Sequence, residues 1–329
     1  MLNRNELSLN KSKIDSDLIS SLRFLAIIGV VSAHTYYLPS QTYISNILNL
    51  FGRTGVGLFF VIAGYLFAFN NDNFSSLLSK KFKTLIIPWV FTGTAVYLYK
   101  VIRKGGASVF SYIKWILGSG TYLWYMVTLL LLYLIFGICR RWKISIYFVP
   151  ILGLVSYLLN GYLYKFLSPW GGQYYNVFNW MIFFTAGYAV ALFNLEEKLS
   201  DFLKKFGLVI SVILIVFSVY LLLNNIELFY WKLLYLPYEF IFCLTALFLA
   251  QIIKKFEIIK RIGAHSFAIY LLHMPIAGIV CFAISKPSLI LLRPFVVILI
   301  VELFITAYLY IVNKFFPKNK MLKTVLGLR

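Results

Sequence analysis

Ten apolar runs follow one another along the chain, at about residues 18–38, 48–70, 84–102, 121–139, 145–163, 176–193, 206–223, 238–253, 262–285 and 291–312. The hydrocarbon core of a bilayer takes about 20 apolar residues per helix. Each run reaches or approaches that length, so the pattern predicts ten transmembrane helices. The fifth, sixth and eighth runs are short or interrupted, among others by Pro150, Gly153 and Gly161. Ten crossings place both termini on one side. No internal repeat, Pro-rich linker or low-complexity segment divides the chain, which reads as one membrane domain over 18–312. It is flanked by a polar N-terminal tail, 1–17, and a basic C-terminal tail, 313–329. No small-residue cleavage pattern follows the first run, which reads as an uncleaved span.

Composition sharpens the class. Of 329 residues, 61% are hydrophobic and 13% charged, against roughly a quarter charged in soluble domains. A soluble globular protein is excluded, and so is room for a separate soluble catalytic domain. The formal charge of +20 would suggest nucleic acid in a soluble chain, but its distribution argues otherwise. Of the 31 lysines and arginines, 21 fall in the two tails and the even-numbered connections. Seven fall in the odd-numbered connections, and Arg23, Arg53 and Lys100 lie within predicted spans. By the positive-inside rule the tails and even connections are cytoplasmic. The basic residues form no single patch, which excludes a nucleic-acid binder. Cys139, Cys243 and Cys281 are odd in number and widely spaced, and suggest neither a disulfide framework nor a zinc site.

Ionisable residues within spans are the candidates for chemistry, because a charge at depth costs about 2.5–3.5 kcal/mol on insertion scales. The first span holds Arg23 and His34 in RFLAIIGVVSAH. Eleven residues are about three helical turns, so the pair shares one face about 16 Å apart along the axis, with His34 towards the outer end. The bland alternative is an arginine snorkelling to the interface and a histidine bonded to a neighbouring helix. The second span carries FGRTGVGLFFVIAGYL. Its glycines suit close helix packing, and Arg53 is expected to face a cavity on the outer side. KKFKTLIIPW, with Lys80, Lys81 and Lys83, suits either phosphate binding or simple cytoplasmic anchoring. LWYM, 123–126, reads as an interfacial aromatic belt. The ninth span, IGAHSFAIYLLHMPI, concentrates His265, Tyr270 and His273. Glu239 begins the eighth span, and Glu302 lies in the tenth, where it is expected to partner His34, Arg23 or Arg53. Three histidines and no paired carboxylates or Cys–His spacing argue against a metal centre.

Taken in order, the Arg and His eleven apart, GVGLFFVIAGYL, the basic run before LIIP, LWYM and SFAIYLLHMP resemble the membrane-bound acyltransferase family 3 over nearly the whole chain. The resemblance implies an all-α polytopic enzyme of the bacterial cell envelope, in the inner or plasma membrane. It would transfer an acyl group, most often acetyl, from cytoplasmic acyl-CoA to a hydroxyl of a surface or lipid-linked glycan, with acyl-CoA as co-substrate and no permanently bound cofactor. His34 matches the family's essential histidine and Arg23 its paired arginine. The family's two arginines three residues apart are replaced here by Lys80 and Lys83, or Lys81 and Thr84, so the acyl-CoA contact is expected at these lysines and Arg23. Ala63 stands where serine is frequent. Histidine suits the reaction, since the thioester is already activated and the acceptor hydroxyl needs a base. His34 would act as that base or carry the acyl group itself. Tyr270, His273 and Arg53 are candidate oxyanion donors, and Glu302 a further candidate contact for the acceptor.

A transporter or flippase of lipid-linked glycan is the rival reading. Transporters often show duplicated halves, and this chain has none. Translocation without CoA release would favour that rival.

Overall fold

The computed structural model describes residues 15–37, 43–70, 72–142, 148–167, 173–230 and 232–328. Arg4, Lys11, Lys13, Lys143 and Arg329 of the charge analysis lie outside the described residues. Among the described residues every regular element is helical. In chain order they are α1 (Ser16–Ser32), α2 (Tyr43–Gly52), α3 (Gly55–Ala68), α4 (Phe74–Lys81), α5 (Ile87–Lys104), α6 (Val109–Ile116), α7 (Trp124–Arg141) and α8 (Phe148–Leu167). Then follow α9 (Val177–Leu192), α10 (Glu196–Leu223), α11 (Tyr235–Ile253), α12 (Glu257–Ala264), α13 (Ser266–Ala283), α14 (Arg293–Phe315) and α15 (Lys320–Val325). Seven stretches are long and apolar enough to cross a membrane: Tyr43–Ala68, Phe74–Arg103, Trp124–Arg141, Glu196–Leu223, Tyr235–Ile253, Ser266–Ala283 and Pro287–Phe315. Each coincides with a predicted run. The first, fifth and sixth runs form α1, α8 and α9, of 17, 20 and 16 residues. The fold is an all-α polytopic membrane domain.

Several boundaries differ from the expectation. The second run is not one helix: it starts at Tyr43, stops at Gly52 and restarts at Gly55 across Arg53 and Thr54. The ninth run starts later, because Glu257–Ala264 forms the separate amphipathic α12 and α13 begins only after His265. In the third, a π-helical turn, Phe82–Ile86, joins α4 to α5 through the basic stretch. Hydropathy misses these breaks because the apolar composition runs through them.

Small residues set the closest helix contacts, as expected where lipid offers no hydrophobic drive for helix association. Gly29 of α1 meets Gly55 of α3 backbone to backbone, and a Cβ on Gly29 would stand 2.9 Å from the Gly55 Cα. A Cβ on Gly64 would overlap the Phe184 carbonyl of α9, and one on Gly187 the Val61 carbonyl of α3. Gly263 of α12 lies equally close to the Ser20 carbonyl of α1. The resulting core is aromatic, with Phe136 and Phe184 stacked at 4.8 Å and Trp124 and Trp180 at 5.2 Å.

Polar contacts join segments that the charge count assigns to the same side. At the end where α1 starts, Lys254 pairs with Asp15 at 2.6 Å and Lys260 with Asp17 at 3.1 Å. Arg140 at the end of α7 donates to the Phe67 and Asn70 carbonyls that close α3. Asp15 also caps α1, accepting from the Leu18 and Asp17 N–H groups. Partial burial alone would raise the Asp15 carboxyl. The Lys254 ammonium and these two N–H groups outweigh it and hold the carboxyl below its usual range.

The close approach of α3 and α9 carries a prediction. Gly187→Ala, and more so Gly187→Leu, will lower the melting temperature of the detergent-solubilised protein by an overpacking cost of about 1–3 kcal/mol. Gly278→Ala, at a helical position with no atom within 4 Å, will leave it unchanged. Equal melting curves for all three proteins would rule out this account of the crossing.

Candidate functional site

His34 does not lie within a helical turn of the first span. α1 ends at Ser32, and residues 33–35 form a turn in which the His34 N–H donates to the Val31 carbonyl and the Thr35 N–H to that of Ser32. The imidazole is partly exposed, and among the described residues its ring makes no hydrogen bond. Gly52, at the end of α2, shapes the other wall: a Cβ there would overlap the backbone of Ala33.

The ring facing His34 is that of His273, with centroids 5.1 Å apart. Sequence spacing set His273 on α13 with no stated partner; the fold brings it to the first-span histidine. His273 is fully buried, and its Nδ1 lies 2.6 Å from the Tyr270 carbonyl. A carbonyl only accepts, so Nδ1 carries the proton and Nε2 is the bare lone pair of a neutral ring. That Nε2 is buried and has no hydrogen-bond partner. Buried polar atoms are rarely left so. Two imidazoles, one accessible and one with an unused lone pair, therefore stand side by side.

The frame around the pair comes from a proline. Pro275 has no N–H, so the Leu271 carbonyl four residues earlier loses its helical partner. The Tyr122 hydroxyl donates to that carbonyl at 2.8 Å. Tyr270 in turn donates its hydroxyl to the Tyr122 carbonyl. The Tyr122 ring stands edge-on to His273 at 5.2 Å, and Tyr125 contacts Tyr270 at 5.4 Å. LWYM is thus not an interfacial belt: Leu123, Tyr125 and Met126 are buried, and Tyr122 and Tyr125 wall the histidine site. The signal in the sequence was there, a proline inside an apolar helix that frees one carbonyl, but nothing in one chain names the tyrosine that answers it.

Arg23 is half-buried on α1. Ring contacts run from Tyr125 through Tyr270 and His273 to His34. The three lysines at the junction of α4 and α5 are placed differently from one another. Lys80 is paired with Asp72 at 2.6 Å, Lys81 lies over the Tyr133 ring at 3.6 Å, and Lys83 is exposed on the π-helical turn without an ion pair or hydrogen bond among the described residues.

The other candidates are engaged elsewhere. Glu302 does not partner His34, Arg23 or Arg53; it is buried against Arg261 at 3.0 Å and His265 at 2.9 Å, where the junction of α12 and α13 meets α14. A buried carboxylate takes the nearest polar partners, and these come from a helix the hydropathy pattern concealed and its end. Arg53 donates to the Leu228 carbonyl and to Asn49, and its guanidinium lies 4.8 Å from the Phe229 ring. It fastens the loop before α11 instead of facing a cavity. Tyr270 has spent its single donor on Tyr122, and neutral His273 its own on Tyr270, so the oxyanion donation expected of them has no hydrogen to offer.

Two residues gain a role the sequence did not give them. Glu239, fully buried, sets its carboxyl at the start of α3 in the space Gly57 leaves by having no side chain. There its carboxyl meets the Leu58 N–H and accepts from the Tyr235 hydroxyl at 3.0 Å, capping the start of α3. Arg293, the first residue of α14, is 1% exposed and hydrogen-bonds to the turn that carries His34. An arginine on the outer side, where topology does not call for positive charge, was the available signal for it as for Arg53. Among the described residues no group of three His, Cys, Asp or Glu side chains could hold a metal ion.

Comparison with known families gives one match: residues 18–312 fit a family described as an acyltransferase domain. Curated proteins and solved structures give no match.

The proline frame is testable by a double substitution. Tyr122→Phe leaves the Leu271 carbonyl buried and unpaired and will destabilise the protein by about 1–3 kcal/mol. Adding Pro275→Ala restores an N–H at position 275 and will recover part of that loss. If the double variant melts at or below the single one, the carbonyl is not what Tyr122 serves.

Proposed function

Since this chain belongs to the membrane-bound acyltransferase family 3, we propose that it transfers an acyl group, most often acetyl, from cytoplasmic acyl-CoA to a hydroxyl of a surface or lipid-linked glycan, with His34 as the general base. The observation that carries the reading is the unbonded His34 ring, partly exposed at the outer end of α1 and backed by the buried lone pair of His273. A base needs a ring nitrogen whose lone pair no hydrogen bond occupies, and the His34 ring meets that condition among the described residues.

In the reaction His34 takes the acceptor proton as its oxygen attacks the thioester carbonyl. The tetrahedral intermediate collapses, the carbon–sulfur bond breaks, and the thiolate leaves as CoA after taking up the proton. His273 is the second proton acceptor, next to His34. Its Nε2 lone pair supports the imidazolium that forms on His34 or relays the proton onward.

The donor enters from the cytoplasm. Lys83 on the π-helical turn, unpaired among the described residues, offers its charge to the CoA phosphates, and π-turns in helices are frequent at functional sites. Lys80 and Lys81 add charge beside it. Trp89 Nε1 and Thr92 Oγ1, three residues apart and so on one face of α5, are buried without hydrogen-bond partners. They suit the amides of a pantetheine arm that runs towards the histidines, and Arg23 lies along its way. His34 at the outer end of α1 suits an acceptor at the outer leaflet of the inner or plasma membrane.

The test is transfer of label from radiolabelled acetyl-CoA to glycan in membranes holding equal amounts of protein. His34→Ala will abolish it; retained transfer would reject His34 as the base. His273→Gln will lower kcat by a factor of about 10²–10⁴, as for loss of a proton-transfer group, with the KM for acetyl-CoA little changed. Lys83→Ala will do the reverse, raising that KM and sparing kcat. Glycan translocated without release of CoA would instead favour the flippase.

A further inference from the structure

The most heavily hydrogen-bonded side chain in the described structure is one that the proposed reaction leaves unused. Arg293 is 1% exposed, and it makes no ion pair among the described residues. Its guanidinium donates only to backbone carbonyls. Nε donates to Ile284 at 2.8 Å. Nη1 donates to Thr35 at 2.9 Å and Tyr37 at 2.7 Å. Nη2 donates to Cys281 at 3.3 Å and Ile284 at 2.6 Å. All five of the N–H groups an arginine owns are thereby used, with none left for a substrate.

The acceptors are not scattered. Thr35 and Tyr37 follow the end of α1, on the turn that carries His34; Cys281 and Ile284 lie at the end of α13, the helix that carries His273. The last carbonyls of a helix lack partners within it, and each helix C-terminus carries about half a negative charge. The guanidinium meets the end of α13 at Cys281 and Ile284 and the chain that follows α1 at Thr35 and Tyr37. These carbonyls explain how a buried cation persists without a carboxylate, and they make the arginine the fastener between the turn that carries His34 and the helix that carries His273. Around the fastener the Cys281 thiol lies 4.0 Å from the His34 carbonyl and 3.9 Å from that of Thr35. α1 and α13 are therefore joined at the level of the turn as well as by the rings.

We propose that Arg293 is a positioning residue: by clamping the turn after α1 to the end of α13 it sets the approach of His34 to His273. The assignment rests on the reading of these histidines as the proton-transfer pair. Lysine cannot replace it. An ammonium has three donors at a single point, whereas a planar fork reaches carbonyls on two helices at once.

The test compares full-length protein carrying Arg293→Lys, Arg293→Gln or Lys286→Gln, at equal amounts of monodisperse sample in detergent. Lys286→Gln removes a charge from the same outer connection without touching the clamp, and serves as the control. The chain has only three histidines, so ¹⁵N-histidine spectra resolve the site directly. Both Arg293 variants will shift or broaden the ring signals of His34 and His273 and leave those of His265 in place, because His265 is held by Glu302 at the far end of α13. The kcat for acyl transfer will fall about 100-fold, the loss expected for a displacement of about 1 Å. The KM for acetyl-CoA will stay within about twofold, since the donor contacts lie on the cytoplasmic side. Unmoved His34 and His273 signals in Arg293→Lys and Arg293→Gln would overturn the proposal, and so would wild-type kcat in both. The spectra do not depend on acyl transfer. If His34→Ala retained activity, the catalytic reading would fall while the effect of Arg293 on the ring geometry was still measured.

Discussion

Inside a bilayer a backbone or side-chain polar group has no water to turn to, so it finds a protein partner or costs several kcal/mol. This constraint orders the molecule. Pro275 frees the Leu271 carbonyl and Tyr122 answers it. The broken second span exposes the start of α3 and the Glu239 carboxyl fills it. Two helix ends leave carbonyls unpaired and Arg293 collects them. Against that background the exceptions stand out. Among the described residues the His34 ring makes no hydrogen bond, and the buried Nε2 of His273 has no partner.

The same constraint separates residues that hold the site from residues that act in it. Tyr270 was a candidate for contact with the reacting oxygen, but its hydroxyl is spent on a carbonyl. Arg53 and Glu302 are likewise committed, one to the loop before α11 and the other to α12 and α13. What remains is a short line of rings from Tyr125 through Tyr270 to the two histidines. Glycines make the line possible. Gly29 and Gly55 bring α1 against α3, and Gly52 lets α2 close on Ala33, the residue before His34.

The junction of α4 and α5 follows a different physics, that of exposed charge. Lys80, Lys81 and Lys83 are three similar letters in the sequence, yet one forms an ion pair, one lies on an aromatic ring and one is free. Exposed pairs of the Lys80–Asp72 kind are worth little in stability. They therefore leave room for a polyanionic ligand to rearrange them, whereas the buried network around Arg293 does not rearrange without loss.

The sequence by itself determined the class, the order of the membrane runs and the two residues of the first span, because apolar length, charge asymmetry and intramembrane charge are properties of a single chain. It also singled out His273 in the ninth span. It could not determine that His273 faces His34, that Tyr122 belongs to the proline, that Glu302 belongs to Arg261 and His265, or that Arg293 clamps the site. Each of these is a pairing between helices far apart in the chain, from His34 to His273 and from Thr35 to Arg293. A hydropathy pattern records how deep a residue lies, not which neighbour it meets. Only the packing of the bundle, set by close glycine contacts and by the need to satisfy every buried polar group, made those choices.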